Sequence, residues 1–147
     1  MPGPKRKIFR GGYQENHPEQ MEFLLDSSGT TLAGHLLTVS SDKFVRAAAG
    51  LTAASYVYVA NVPPCMDALT YEYEQGETAF GYVPRSRDVY LVRAVAGLTC
   101  AKDAPLYSNA AGQVTATDPG SAQVVGYSHF EITVATAAND LIDMRIR

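Results

Sequence analysis

The chain has 147 residues, of which 46% are hydrophobic and 18% charged, and its net charge is −3. This fits a single globular domain with a real core, and the acidic balance speaks against general nucleic-acid binding. No run approaches eighteen apolar residues, so no membrane-spanning helix is expected.

The first twenty residues differ from everything after them. Pro2, Pro4 and Pro18 bar regular pairing locally, and Gly11-Gly12 adds freedom. Lys5, Arg6, Lys7 and Arg10 supply four of the twelve basic residues, leaving eight against an acidic remainder. No apolar stretch follows these charges, so a secretory signal is not expected. Residues 1–20 therefore read as an extended N-terminal arm, and residues 21–147 as the folded domain. The arm carries candidate partner-binding residues: Lys5, Arg6, Lys7 and Arg10 for an acidic surface, and Ile8, Phe9 and Tyr13 as apolar anchors. On this reading the arm touches its own body little. Deleting residues 2–14 should then leave the body folded.

Short period-two runs separated by turn residues fill the rest, which predicts an all-β fold, a small antiparallel β-barrel or sandwich. Met21–Leu25 is the first predicted strand, ended at Asp26-Ser27-Ser28-Gly29. Thr31–Val39 is the second, and Lys43–Ala47 follows it. Tyr56–Val59 is a strong strand, stopped by Pro63-Pro64. Leu69–Glu74 alternates, and Gln75-Gly76 predicts a hairpin into Thr78–Val83. Then come Asp88–Ala94 before a turn at Ala96-Gly97, Pro105–Tyr107 closed by residues 108–112 with Gly112 last, Gln113–Thr117 and Ala122–Tyr127 flanking a turn at Asp118-Pro119-Gly120, Glu131–Val134 and Leu141–Arg147. In the last of these, Ile142, Met144 and Ile146 share one face. Alanine-rich patches at 47–54 and 135–138 are the only helix candidates, so little helix is expected. Arg46–Ala54 and Arg93–Ala101 match at seven of nine positions. Either they are two strand–turn units using one solution, or the traces of a duplication.

The search for catalytic chemistry is mostly negative. His17, His35 and His129 stand apart from any cluster at metal-ligand spacing. Cys65 and Cys100 are too far apart for such a site, and are expected free and buried. No nucleophile elbow or phosphate-binding loop occurs, and Asp140 and Asp143 read as strand-end carboxylates. No catalytic residue, metal or cofactor is expected, and the chain reads as a non-enzyme.

One resemblance rests on Gly97-Leu98-Thr99, Lys102 to Tyr107, Gly112-Gln113-Val114, Val124-Val125-Gly126-Tyr127 and Asp140 to Ile146. Together these resemble the barrel of tailed-phage capsid decoration (cement) proteins. They cover well under half the chain, and the segment from Leu32 to Arg87 is longer than a minimal cement barrel needs. The resemblance implies a virion protein, made in the host cytoplasm, on the outer capsid surface. It would cement neighbouring major capsid proteins as a homotrimer, with a homodimer as the alternative. The competing reading is a β-sandwich ligand- or receptor-binding module whose Tyr71, Tyr73 and Tyr82 line a groove.

Overall fold

The structure, a computed structural model, describes residues 8–11, 19–52, 55–63 and 69–146. Among these every regular element is a strand, and the two alanine-rich patches form no helix where they are described. The strands are β1 (Phe9–Gly11), β2 (Gln20–Leu24), β3 (Thr31–Leu32), β4 (Leu36–Ser40), β5 (Lys43–Arg46), β6 (Tyr58–Asn61) and β7 (Glu72–Tyr73). They continue as β8 (Thr78–Tyr82), β9 (Val89–Arg93), β10 (Pro105–Ser108), β11 (Val114–Thr115), β12 (Gly126–Ser128) and β13 (Leu141–Arg145).

These strands form a sandwich. One sheet has six strands in the order β1-β9-β13-β12-β10-β11, the other five in the order β2-β8-β6-β4-β5, and β3 pairs with β7 separately. Every strand pair is antiparallel. The five-stranded sheet curls until its edges meet at one bridge, Leu25 to Phe44, without a ladder that would close a barrel.

Period-two alternation divides the apolar residues between two cores. Leu36 and Val59 point into the core between the sheets, where they meet Tyr90, Val92, Ile142 and Met144. Their neighbours Leu37 and Ala60 point the other way, into a second core inside the curl with Leu25, Phe44, Tyr73 and Ala79. Aromatic edges fill that second core: Phe23 on Phe44 at 5.0 Å, and Phe44 on Tyr58 at 5.4 Å. In β13, Ile142 and Met144 are buried as their shared face predicts, and Ile146 packs partly against the same core.

Three sequence expectations are corrected. The run Thr31–Val39 is broken at Gly34 (φ 92°), so β3 and β4 belong to different sheets. The Gln75-Gly76 turn is present, with Gly76 at φ 87°, yet its flanking strands separate: β7 pairs with β3, and β8 with β2 and β6. The turn at 118–120 likewise does not join a hairpin, because β10 lies between β11 and β12. At Gly34 the turn is unexpected; in the other two cases the turn residues are where they are expected, and the flanking strands pair with other partners.

The arm also needs correcting. Residues 9–11 pair with β9 in the body's own sheet, and Ile8 is 1% exposed within the inter-sheet core. A boundary at residue 20 therefore leaves a core residue on the wrong side of it. Removing 2–14 would open a cavity and orphan the buried Leu91 N–H, which donates to the Ile8 carbonyl at 2.7 Å. Ile8→Ala should destabilise the fold by about 2–5 kcal/mol, while loss of residues 1–7 should change stability little. Urea titration of the two variants checks this, and equal midpoints would refute the placement of Ile8.

Candidate functional site

The residues expected to bind a partner separate in the structure. Ile8 is committed to the body's own core. Phe9 and Arg10 lie in β1, at the edge of the six-stranded sheet. Lys5, Arg6, Lys7 and Tyr13 lie outside the described residues, as do His17 and Cys65. Cys100 is free and half-buried, packed against the inter-sheet core.

The tyrosines expected to share a groove do not. Tyr71 and Tyr73 meet edge to face at 5.4 Å around the second core, and the Tyr73 hydroxyl donates to the Asn61 carbonyl. Tyr82 packs on the other core, against Tyr90 at 5.6 Å. Burial pushes the phenols of Tyr73, Tyr82 and Tyr90 above their ordinary value, as expected of packing residues.

The most connected polar cluster joins loops that sequence reasoning did not relate. The Leu32 N–H donates to His35 Nδ1 at 2.8 Å. The proton of that imidazole therefore sits on Nε2, which donates to Asn139 Oδ1 at 3.1 Å. Gln113 Nε2 donates to the same oxygen at 2.7 Å. Arg93, at the end of β9, donates from Nε to the Ala33 carbonyl at 2.8 Å and from Nη1 to the Asn139 carbonyl at 2.9 Å; Nη2 reaches the Leu69 carbonyl. Each side chain here is spent on backbone or on another member of the cluster. The arrangement clamps the segments around residues 33, 69, 113 and 139, and His35 serves as a core histidine.

The outer surface offers a different kind of site. Tyr56, just before β6, is 82% exposed. On one side lies a half-open cleft of about 200 Å³ between the sheets, lined by Val57, Pro84, Val125 and Ile146. On the other is a hollow of about 310 Å³ bounded by Val39, Leu51 and Tyr58. Phe130 and Val134 are also largely exposed, after β12. Thr38 and Ser55 also line the second hollow, so Tyr56 stands between a mainly apolar cleft and a more polar one; an exposed aromatic so placed has the make-up of a protein-contact anchor. Carboxylates gather elsewhere, around β2, β7 and β8: Glu22, Asp26, Glu72, Glu74 and Glu77. Asp26 pairs there with Lys43 at 4.0 Å. Of these carboxylates, Glu22, Asp26, Glu72 and Glu74 are exposed and Glu77 is half-buried.

The His35 imidazole gives the fold a definite acid sensitivity. Burial foremost, with the nearby Arg46 and Arg93 charges and against the Asn139 bond, lowers its pKa from 6.5 to about 4. The unfolded chain then binds the proton more readily, so this contribution is complete above about pH 6.5 and fades as pH falls toward 4. A shift of that size corresponds to about 3 kcal/mol. Stability measured by urea titration should therefore fall more steeply between pH 6.5 and 4 in the natural chain than in His35→Gln. Parallel pH profiles would show that His35 is not the titrating group.

No protein-family model matches the sequence, and no curated protein does. Among solved structures, the head fiber gp8.5 N base of bacteriophage phi29 is similar, with a TM-score of 0.53 and 17% identity. The match covers 88% of this chain and 95% of that one, so the likeness extends over the sandwich as a whole and is one of fold.

Proposed function

We propose that this chain is a structural protein of a tailed-phage virion that binds the outside of the capsid and cements neighbouring major capsid proteins. The observation that carries the reading is the fold likeness, over 88% of this chain, to the N base of a phage head fiber. The cement-like run of turns and strands from Gly97 to Ile146 supports it from the sequence side. The body acts by buried area, with no turnover and no cofactor. The His35–Arg93 cluster is used up in holding loops, and the exposed apolar residues, led by Tyr56, lie on the surface where a protein partner can cover them.

In this reading the protein assembles as a homotrimer, the symmetry suited to threefold and quasi-threefold lattice positions. Lys5, Arg6, Lys7 and Arg10 add an electrostatic contact to acidic surface on the coat or on an adjacent copy, including the carboxylates near β2 and β7. Such charges act chiefly on association rate and salt dependence. The ligand-binding alternative loses support, because Tyr71 and Tyr73 sit on a different core from Tyr82.

Purified empty capsids test this directly. The protein should co-sediment with them and show no retention on a glycan panel. Cementing further requires that loaded capsids withstand higher temperature than bare ones; binding without that gain would indicate decoration alone. Replacing Lys5, Arg6 and Lys7 by alanine should leave melting unchanged and weaken capsid binding by about tenfold or more at low salt, less as salt screens the contact. A triple variant that bound as tightly as the parent at every salt concentration would remove the arm from the mechanism.

A further inference from the structure

We propose that β1 is an exchanged strand: in the assembled protein, Ile8–Gly11 of one copy fills the slot beside β9 of its neighbour. The proposal rests on the oligomeric reading above and names the residues a copy would contribute to another's core.

The slot is built from residues that follow the arm. Its floor is the inter-sheet core, and its wall is the outer edge of β9. The Leu91 N–H points into it and is met by the Ile8 carbonyl at 2.7 Å. Two residues further along β9, the Arg93 N–H goes to the Gly34 carbonyl at 2.9 Å, which ends the slot. It is one strand wide and as long as β1. An empty slot would leave a buried donor unpaired and a hole the size of an isoleucine side chain. Every copy must therefore have it filled, and nothing in the slot requires that the filling come from the same chain.

The occupant is held in a way that suits exchange. The β1 ladder has two register pairs, Phe9 to Tyr90 and Gly11 to Val89, with an irregularity between them. On its other side β9 is fully paired with β13, from Leu141–Arg93 to Arg145–Val89. The sheet therefore keeps its frame without β1, and Ile8 anchors the strand in the core.

The connection is longer than the fold needs. Phe9 pairs with Tyr90 and Gln20 with Tyr82, and the Tyr82 and Tyr90 rings touch at 5.6 Å. β1 and β2 thus attach to facing strands of two packed sheets, which lie about 10 Å apart. The chain from Gly11 to Gln20 can extend to roughly 30 Å at about 3.3 Å per residue. An identical slot on an adjacent copy within that span would offer the same hydrogen bonds and the same buried site. Between subunits already held together, the neighbour's slot is present at high effective concentration.

Gly11→Cys and Val89→Cys, placed on separate chains, report the exchange. Cys65 and Cys100 are first replaced by alanine, and the two single-cysteine chains, one tagged, are co-expressed and oxidised. The expected result is a disulfide joining a tagged to an untagged chain. The double variant Gly11→Cys/Val89→Cys should give covalent multimers that match the mass seen by light scattering. If light scattering shows an oligomer and every disulfide of the double variant lies within one chain, the exchange is overturned and the oligomeric reading stands. A monomer with disulfides only within the chain overturns both.

Discussion

The five-stranded sheet carries apolar side chains on both faces, and this is the constraint the rest of the structure answers. Leu36 and Leu37 are adjacent and both fully buried, as are Val59 and Ala60. A strand presents neighbours to opposite faces, so such pairs demand cover on two sides. The six-stranded sheet covers one face. For the other, the sheet wraps around its own aromatics, with Tyr73 brought in by the β3–β7 pair. The long middle segment from Leu32 to Arg87, which a minimal barrel would not need, supplies most of that curl. Its extra length forms a second core within the same domain.

Turn chemistry was the most legible layer of the sequence. Gly29, Gly76, Gly97, Gly112 and Gly120 were placed at turns, and all adopt positive φ. Gly112 shows why the position admits no side chain: a Cβ there would lie 2.6 Å from the Leu36 carbonyl oxygen, where the loop after β10 meets β4. The Ser41-Asp42 turn escaped notice because neither residue is glycine, although both have positive φ and join β4 to β5. What the sequence could not convey was pairing. Period two tells which face of a strand is buried but not beside which strand it lies. The hairpin expected at 75–76 failed on that point, and the two runs flanking the turn at 118–120 do not pair with each other.

The internal echo shows how far a local likeness extends. Arg46 and Arg93 each end a strand, each precedes a fully buried alanine, and each spends its guanidinium on loop carbonyls. Gly50 and Gly97, four residues later, share the left-handed conformation. Yet β5 is an edge strand of one sheet, and β9 an interior strand of the other. The common sequence encodes one way to leave a strand and pin the next loop, and it does so in two unlike places. The His35 cluster was invisible for a related reason. Its members are 104 residues apart at the widest bond, and a lone histidine before a strand carries no signal of its partners.

The N-terminal segment joins these arguments. Composition marked it as foreign to the body, and for its charges that reading holds: four basic residues sit within ten positions of an otherwise acidic chain. Ile8 is the exception that composition could not reveal, since one isoleucine among charges looks like an anchor for any surface. Its burial against Tyr90 and Val92 makes the end of the arm part of the fold. A segment fixed at one buried residue and charged on either side can contribute to a core and to an electrostatic contact at once. Loss of the buried group acts on stability through cavity formation. Loss of the charges acts on association through long-range attraction. The two effects differ in salt dependence, because burial is nearly insensitive to screening while exposed charge pairs are not. Ionic strength therefore separates the arm's part in the core from the proposed contact of its charges with a partner.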